Sequence, residues 1–299
     1  MRLAVVIPVY SGEQTLTRLF EAIQDALEGL YSYEVVFVHD CAADNSLEVL
    51  HELRSCHPDR VRVIELTQNV GQHNAILHGF KHAQGELFIT MDEDLQHSPT
   101  DIEALVKKQL TKEYDVVYAN YDSSPQQNGI RNLASKAMKL LLARAIPNLN
   151  PHYSSFRVIR PEIAKAMTEL SAGFAFIDGH VAWLTTHVSS MPVLHNKRTA
   201  GRSGYSMTSL LAFAFKIIIT YTNYPLRILA IFSSLLSLLT LLFTAHFALE
   251  RSKLPAEPPQ ELHDYEISAG IAVTLLLLGM GLLRLFLARV KQTGAGQDS

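Results

Sequence analysis

Short apolar runs alternate along the first two thirds of the chain with polar turns and longer amphipathic stretches. Leu3–Val9, Glu34–His39, Val61–Leu66, Leu87–Met91, Asp115–Asn120, Ser154–Ile159 and Pro192–Asn196 are brief, rich in β-branched or aromatic residues, and bounded by Gly, Pro, Asn or Asp. That pattern predicts buried strands. Between them, Gln14–Glu28 sets Leu16, Leu19, Phe20, Ile23 and Leu27 on one helical stripe. Helices are predicted likewise from Leu47, from Asn69 to Ala83, over Pro99–Leu110, over Arg131–Ile146, from Pro161 and over Ile177–His187. Tyr121–Asn128 is polar and predicts a loop. Strands alternating with helices of this length predict an α/β fold with a mostly parallel sheet covered on both faces.

The last third changes character. Ile228–Leu249 runs for about 22 residues without a formal charge, long enough to cross a bilayer. Ile267–Leu283 is a second such run, extendable to Ala288 if Arg284 snorkels. Ser206–Thr222 is shorter and holds Lys216, so it reads as an interfacial helix rather than a third span. Lys216 and Arg227 precede the first run, and Arg284, Arg289 and Lys291 close the second, so the basic bias places both outer ends in the cytoplasm. The layout expected is an α/β domain over 1–205, an interfacial helix over 206–225, a two-helix transmembrane hairpin over 226–290 and a cytoplasmic tail over 291–299. This makes a multi-pass protein of the inner (plasma) membrane with its α/β domain in the cytoplasm. Gly270, Gly279 and Gly281 could pack against a neighbour's spans in a homo-oligomer.

Charge and cysteine narrow the class. The formal net charge of −3 gives no sign of a nucleic-acid face. Cys41 and Cys56 are the two cysteines, with neither metal spacing nor a disulfide framework, as a cytosolic domain requires. The stretch after Met1-Arg2 is too short for a signal peptide before Pro8 ends it.

The chemistry concentrates at Asp92-Glu93-Asp94-Leu95-Gln96, delivered to the carboxyl end of the run Leu87–Met91. Open α/β sheets bind ligands there. Alternate residues of an extended chain face one way, so Asp92, Asp94 and Gln96 can share a side. Mg²⁺ and Mn²⁺ take oxygen ligands, usually one or two carboxylates completed by substrate phosphates, so this spacing suits a metal–diphosphate site. Asp178 and His195 are candidate general bases if the acceptor is a hydroxyl. His73, His78 and His82 fall at helical spacing, where a nucleotide-edge or solvated helix face is expected ahead of a zinc site. His97 either contacts the site or opens a helix. Arg131, Lys136, Lys139 and Arg144 make a basic helix that is either solvated or laid on anionic headgroups.

Several pieces, in order and at the right spacing, resemble a known family. They are Pro8-Val9-Tyr10, Asp40 with Asp44, Asn69-Val70-Gly71, Met91–His97, Ser155-Phe156-Arg157, Arg198 with Gly201–Tyr205, and Pro225-Leu226-Arg227. The chain resembles inverting family 2 glycosyltransferases of the GT-A fold. It looks most like the membrane-bound enzymes that load a sugar onto undecaprenyl phosphate and their dolichyl-phosphate relatives. The likeness implies that Pro8, Tyr10, Glu13 and Asp40 line the nucleotide, with Asn69, Gly71, Asp92 and Glu93 in the same nucleotide-binding set. It implies that Asp94 and Gln96 hold Mg²⁺ or Mn²⁺ on the diphosphate. Arg131, Arg198 and Arg202 should meet the acceptor phosphate or the donor diphosphate. Where the family usually has Asn-Glu after Pro-x-Tyr, this chain has Ser11-Gly12 and keeps Glu13. A single Asp40 follows His39 where the family has a pair of acids.

The activity so implied is transfer of one sugar from a UDP-, GDP- or dTDP-linked donor to a polyprenyl phosphate, for a cell-envelope glycan or lipid. Two other readings stay open: extension of a lipid-linked or polymeric glycan, and a non-catalytic membrane-anchored sensor of nucleotide sugars.

Overall fold

The computed structural model describes residues 1–121, 138–170, 174–193, 207–222 and 224–251, and those of 270–281 other than 272 and 276. The chain divides into two compact units, Met1–Ile217 and Ile218–Ser299. The first is built from β1 (Arg2–Val9), α1 (Leu16–Leu27), β2 (Ser32–His39), α2 (Ser46–Cys56), β3 (Val61–Glu65), α3 (Gln72–His82), β4 (Leu87–Thr90), a 3-10 turn (Pro99–Asp101), α4 (Ile102–Lys112) and β5 (Val116–Asn120). A helix α5 over 138–145 follows, then β6 (Arg157–Ile159), α6 (Pro161–Leu170), α7 (Ile177–Leu184) and β7 (Val188–Pro192); α8 (Met207–Tyr221) starts in this unit and ends in the second.

The seven strands form one sheet in the order β3-β2-β1-β4-β6-β5-β7. β1 lies parallel between β2 and β4, with Val5 opposite Val35 on one side and Ile89 on the other. The sheet continues from β1 through β2 to β3 on one side and through β4 to β6 on the other, so the carboxyl ends of β1 and β4 flank a topological switch point, where such sheets bind ligands. β6 runs antiparallel to both β4 and β5, and β7 lies parallel beside β5.

Period-two alternation along β1 sorts its side chains between two cores. Leu3, Val5, Ile7 and Val9 join the stripe of α1 (Leu16, Leu19, Phe20, Ile23, Leu27) and the inner faces of α2 and α4. Ala4 and Val6 join Ala75, Ile76 and Phe80 of α3, Ala164 and Met167 of α6, and Ile177 and Val181 of α7. A parallel strand covered on both faces reads as a continuous apolar run, as Leu3–Val9 does. α3 lies close because Gly79 has no side chain: a Cβ there would stand 2.3 Å from Val6 Cγ1.

Two sequence-predicted elements are displaced. The helix expected over Ile177–His187 ends at Leu184, where Thr185 turns extended and its hydroxyl donates to the Asp115 carboxylate. The strand expected at Pro192–Asn196 lies instead at Val188–Pro192, where Val188 to Pro192 register with Val116 to Asn120 of β5. Pro192, with no N–H to give, is the last residue of this strand at the sheet's edge. Residues 122–128 of the predicted 121–128 loop and residues 131–137 of the predicted 131–146 helix lie outside the described residues. Within α5, Lys139 donates to the Tyr153 carbonyl at 3.3 Å and sits over the Tyr153 ring, so this basic position packs on protein.

The second unit holds α9 (Tyr224–Arg251). Its stretch Arg227–His246 has a mean hydropathy of 2.3 and only 17% of its most apolar window is buried. Among the described residues it is the one helix long and apolar enough to cross a membrane. Inside this unit Ser233 is buried, its hydroxyl donating to the Gly279 carbonyl. A Cβ on Gly279 would meet Ser237 Oγ at 2.6 Å. Gly279 therefore lets two helical stretches of the same chain approach, and nothing lies within 4 Å of the Cβ positions of Gly270 and Gly281.

The seat of α3 is open to test. Gly79→Ala forces a methyl into Val6, and overpacking of this kind costs about 1–3 kcal/mol. The expected outcome is a lower thermal unfolding midpoint for the purified full-length protein, read by scanning fluorimetry. An unchanged midpoint would show that α3 stands off the sheet.

Candidate active site

β4 ends at Thr90, and the chain then passes through buried Met91 into the acidic turn. Leu95 takes φ +60°, in the left-handed region that β-carbon-bearing residues seldom occupy. Asp94 Oδ1 accepts the Gln96 N–H at 3.2 Å and closes the turn around Leu95. Leu95 packs against the core, so burial of its side chain holds the strained backbone in place. The result sets Asp94 and Gln96, both half-buried, side by side at the strand's carboxyl end.

Asp92 is clamped from three directions. Its Oδ1 accepts from Gln72 Nε2 at 2.6 Å, on the first turn of α3. Its Oδ2 accepts from Ser155 Oγ at 2.6 Å, on the approach to β6. Its backbone N–H donates to His97 Nδ1 at 3.1 Å, which puts that ring's proton on Nε2, 3.8 Å from Asp92 Oδ2. The buried His97 ring is stacked between Tyr121 and Phe156, with centroids 5.6 and 5.3 Å away. His97 thus belongs to the site rather than to a solvated helix entry.

Glu93 turns the other way, toward β1. Its carboxylate accepts the Tyr10 N–H at 3.2 Å and the Ser11 N–H at 3.0 Å. Burial, with Asp44 and Asp92 nearby, pushes its pKa up to about 7 against the pull of those two N–H bonds. The next link, Gly12 N–H to Ser46 Oγ at 2.9 Å, ties the same turn to α2. Asp44 accepts the Ser46 hydroxyl at 2.6 Å and the Glu13 N–H at 3.3 Å, while Glu13 accepts the Asn45 N–H at 3.1 Å. Tyr10 is 60% exposed, and Pro8 is the penultimate residue of β1.

Asp40, just past β2, is buried, and both its oxygens accept backbone N–H groups: Val70 at 2.7 Å and Gly71 at 2.9 Å. Asn69 Nδ2 donates to the Asp40 carbonyl at 3.3 Å. Gly71 needs its glycine for φ +82° at the start of α3. The Asp40 carboxylate therefore shapes the turn that brings Gln72 to Asp92. Asp178 lies deeper still. It is buried, bonded to the buried Arg157 guanidinium, and Arg157 Nε donates to Thr90 Oγ1 at 3.1 Å. The Thr90 hydroxyl donates in turn to the Ser155 carbonyl at 2.6 Å, so this pair props the residue that holds Asp92. Burial raises the Asp178 pKa, opposed by Arg157. His180, also buried, is pushed down to about 4 by burial. His73 N δ1 lies 3.5 Å from the Ile177 N–H, and burial beside Arg157 lowers it to about 3. Neither imidazole carries charge near neutral pH.

Of the residues singled out from sequence, the fold gathers Pro8, Tyr10, Glu13, Asp40, Asn69, Gly71, Asp92, Glu93, Asp94 and Gln96 around the carboxyl ends of β1, β2 and β4. Arg131, His195, Arg198 and Arg202 lie outside the described residues. Sequence reading missed Gln72 and Ser155 as holders of Asp92, and Arg157 as the partner of Asp178. The visible signals were Gln72, a polar residue directly after a glycine turn at a helix start, and the segment Ser155-Phe156-Arg157, singled out there without a role for its serine or arginine. Among the described residues no three His, Cys, Asp or Glu side chains cluster tightly enough to hold a metal by themselves. Asp94 with the Gln96 amide is a hard oxygen donor pair of the kind that a diphosphate completes around Mg²⁺ or Mn²⁺.

A model described as "Glycosyl transferase family 2" matches residues 4–179. The undecaprenyl-phosphate 4-deoxy-4-formamido-L-arabinose transferase of Edwardsiella ictaluri is 31% identical over 290 residues, covering 96% of this chain and 89% of that protein. Its namesake from Shewanella sediminis is 34% identical over 231 residues, 76% of this chain and 69% of the other. The crystal structure of S. aureus TarS 1–349 with UDP-GlcNAc superposes with a TM-score of 0.54 at 18% identity, over 73% of this chain and 65% of that one. Glucosyl-3-phosphoglycerate synthase from Mycobacterium tuberculosis, with Mg²⁺ and UDP, gives 0.53 at 18% identity, over 73% and 76%. At such identities the likeness to solved structures speaks for the fold, the GT-A α/β arrangement.

The buried pair yields a stability test. Arg157→Met strands Asp178 in the core, and removing one partner of a buried ion pair costs about 3–5 kcal/mol. Arg157→Met with Asp178→Leu should recover much of that loss, read from unfolding midpoints of the full-length protein. Losses that simply add would show that the two side chains do not depend on each other.

Proposed function

The chain belongs to glycosyl transferase family 2, and from that membership we propose that it moves one sugar from a nucleotide-diphosphate donor to undecaprenyl phosphate, with inversion at the anomeric carbon. The observation that carries the reading is the turn joining Asp94 to Gln96 beside a clamped Asp92, at the carboxyl end of β4. The lipid acceptor is supported by the names of relatives that match most of the chain. The apolar, exposed stretch Arg227–His246 supports a membrane location. In the full arrangement proposed, a catalytic domain over 1–205 is followed by an interfacial helix over 206–225, a transmembrane hairpin over 226–290 and a cytoplasmic tail.

Asp94 and Gln96 would hold Mg²⁺ or Mn²⁺ on the donor diphosphate. That cation, when bound, offsets the charge that grows on the departing nucleoside diphosphate. Asp92, kept in one pose by Gln72 and Ser155, contacts the nucleotide sugar. Pro8, Tyr10, Glu13 and Asn69 line the base and ribose, and Asp40 shapes the turn at Gly71. Arg131, Arg198 and Arg202 guide the acceptor phosphate or the diphosphate by charge-assisted hydrogen bonds. A phosphate monoester has its second ionisation near ~6, so the acceptor arrives largely as an anion and needs positioning more than a base. Asp178, buried against Arg157, then acts as a positioning residue.

Asp94→Ala should abolish turnover that depends on added Mg²⁺ or Mn²⁺, and undiminished activity would remove the metal role. Membranes supplied with a radioactive nucleotide sugar from a UDP, GDP and dTDP panel should label undecaprenyl phosphate. Label found only in a longer glycan would favour the glycan-extending reading. Arg202→Ala should slow transfer to the lipid phosphate more than hydrolysis of the donor. Equal losses in both would take Arg202 off the acceptor side.

A further inference from the structure

The turn that ends β1 is held from outside itself. Tyr10 N–H and Ser11 N–H point into the Glu93 carboxylate, at 3.0–3.2 Å, across 82 and 83 residues of sequence. Gly12 N–H goes to Ser46 Oγ at 2.9 Å, and the Gly12 carbonyl accepts the N–H groups of Thr15 and Leu16 at 2.9 and 3.0 Å as α1 begins. Three elements therefore fix this turn, and only Glu93 comes from the acidic tip of β4. Gly12 fits the same picture by space rather than by conformation. Among the described residues the glycines at positive φ are Gly29 and Gly71, so the Gly12 backbone would suit other residues. A Cβ on Gly12, however, would stand 2.5 Å from Glu93 Oε2 and 3.0 Å from Leu16 Cγ. Glu93 and Gly12 are a fitted pair: the carboxylate fills the place where a side chain at position 12 would begin.

We propose that Glu93 is a positioning residue for the donor: it clasps the Tyr10–Gly12 turn from the β4 tip, and so sets the pose of Tyr10 against the nucleobase without touching the sugar. The proposal rests on the nucleotide-sugar reading above and deepens it. A carboxylate accepting two N–H groups orients a backbone better than water does, because both donors converge on one rigid group. Tyr10 is largely exposed, so little else in its own surroundings fixes the base-facing edge of the site. Coupling that edge to β4 also keeps nucleobase and diphosphate subsites in one register, since Glu93 sits between Asp92 and Asp94 in sequence.

The test is a double-mutant cycle on the detergent-solubilised full-length protein, titrated with UDP in Mn²⁺. Glu93→Ala should weaken UDP by about tenfold, the scale of losing the two backbone hydrogen bonds that one side chain holds. Glu93→Gln, whose amide oxygen can still accept, should recover most of that loss. Gly12→Ala should weaken UDP in the parent, yet cost less once Glu93 is Ala, because the tightest contact, with Glu93 Oε2, has gone and the one with Leu16 stays. Mn²⁺ affinity measured alone should move far less than UDP affinity in all four proteins, and the donor KM should rise more than kcat falls. UDP binding in Glu93→Ala as tight as in the parent, or losses in the two single variants that multiply, would overturn the clasp and leave the activity standing. A parent protein that binds none of UDP, GDP and dTDP would overturn the nucleotide-sugar reading and the clasp together.

Discussion

The site depends on holding Asp92 still with neutral donors rather than with a cation. Three consecutive positions at one strand tip carry two aspartates and a glutamate, and like charges so close repel. A guanidinium seated among them would settle the repulsion but would also consume the charge that a cation-dependent site needs. The fold uses neutral donors instead. A glutamine amide and a serine hydroxyl take the two oxygens of Asp92, and two backbone N–H groups take Glu93. Each donor engages a carboxyl group without bringing a full positive charge, and together they come from three different parts of the chain.

Rigid placement of those donors is a property of the parallel core. β1 and β4 are hydrogen-bonded neighbours, so their tips cannot drift apart while the apolar layers on both faces stay packed. The close seat of α3 against Val6 fixes the height of Gln72, and Asp40 fixes the turn from which Gln72 emerges. Beneath, Arg157 reaches Thr90, and Thr90 reaches the carbonyl of Ser155. A buried pair such as Arg157 with Asp178 is seldom a net source of stability. Its effect here is directional: Asp178 holds the Arg157 guanidinium where its Nε reaches Thr90, and Thr90 braces the serine that holds Asp92.

Strands, helices and the acidic tip were legible because their signals are local. Alternation on β1, the stripe of α1 and the run before Asp92 each report a face or a burial state within a dozen residues. The placement of β7 was not, because Val188-Ser189-Ser190-Met191-Pro192 owes its strand state to pairing with β5 and not to its own composition. Nor does periodicity reveal that Asp40 spends both oxygens on N–H groups thirty residues onward, or that Asp178 meets Arg157. In sequence a catalytic carboxylate and a structural one look alike; the difference lies in which donors the fold brings to them. Gly12 shows the same limit. A glycine after a strand suggests a tight turn, whereas its reason is a carboxylate from another strand.

The titratable groups around the site divide in a way that bears on the chemistry. Asp178, His73 and His180 sit in burial that disfavours their charged forms, and the first is further engaged by Arg157. Buried so, they are poorly disposed to exchange protons with an incoming acceptor, which must approach from solvent or membrane. A hydroxyl acceptor would demand a reachable base with a well-matched pKa. A phosphate acceptor demands none, because its nucleophilic oxygen is already charged. The investment in this domain is accordingly in hydrogen bonds that hold the donor side of the site fixed, and a reaction in which the acceptor brings its own negative charge is the one that such an investment serves.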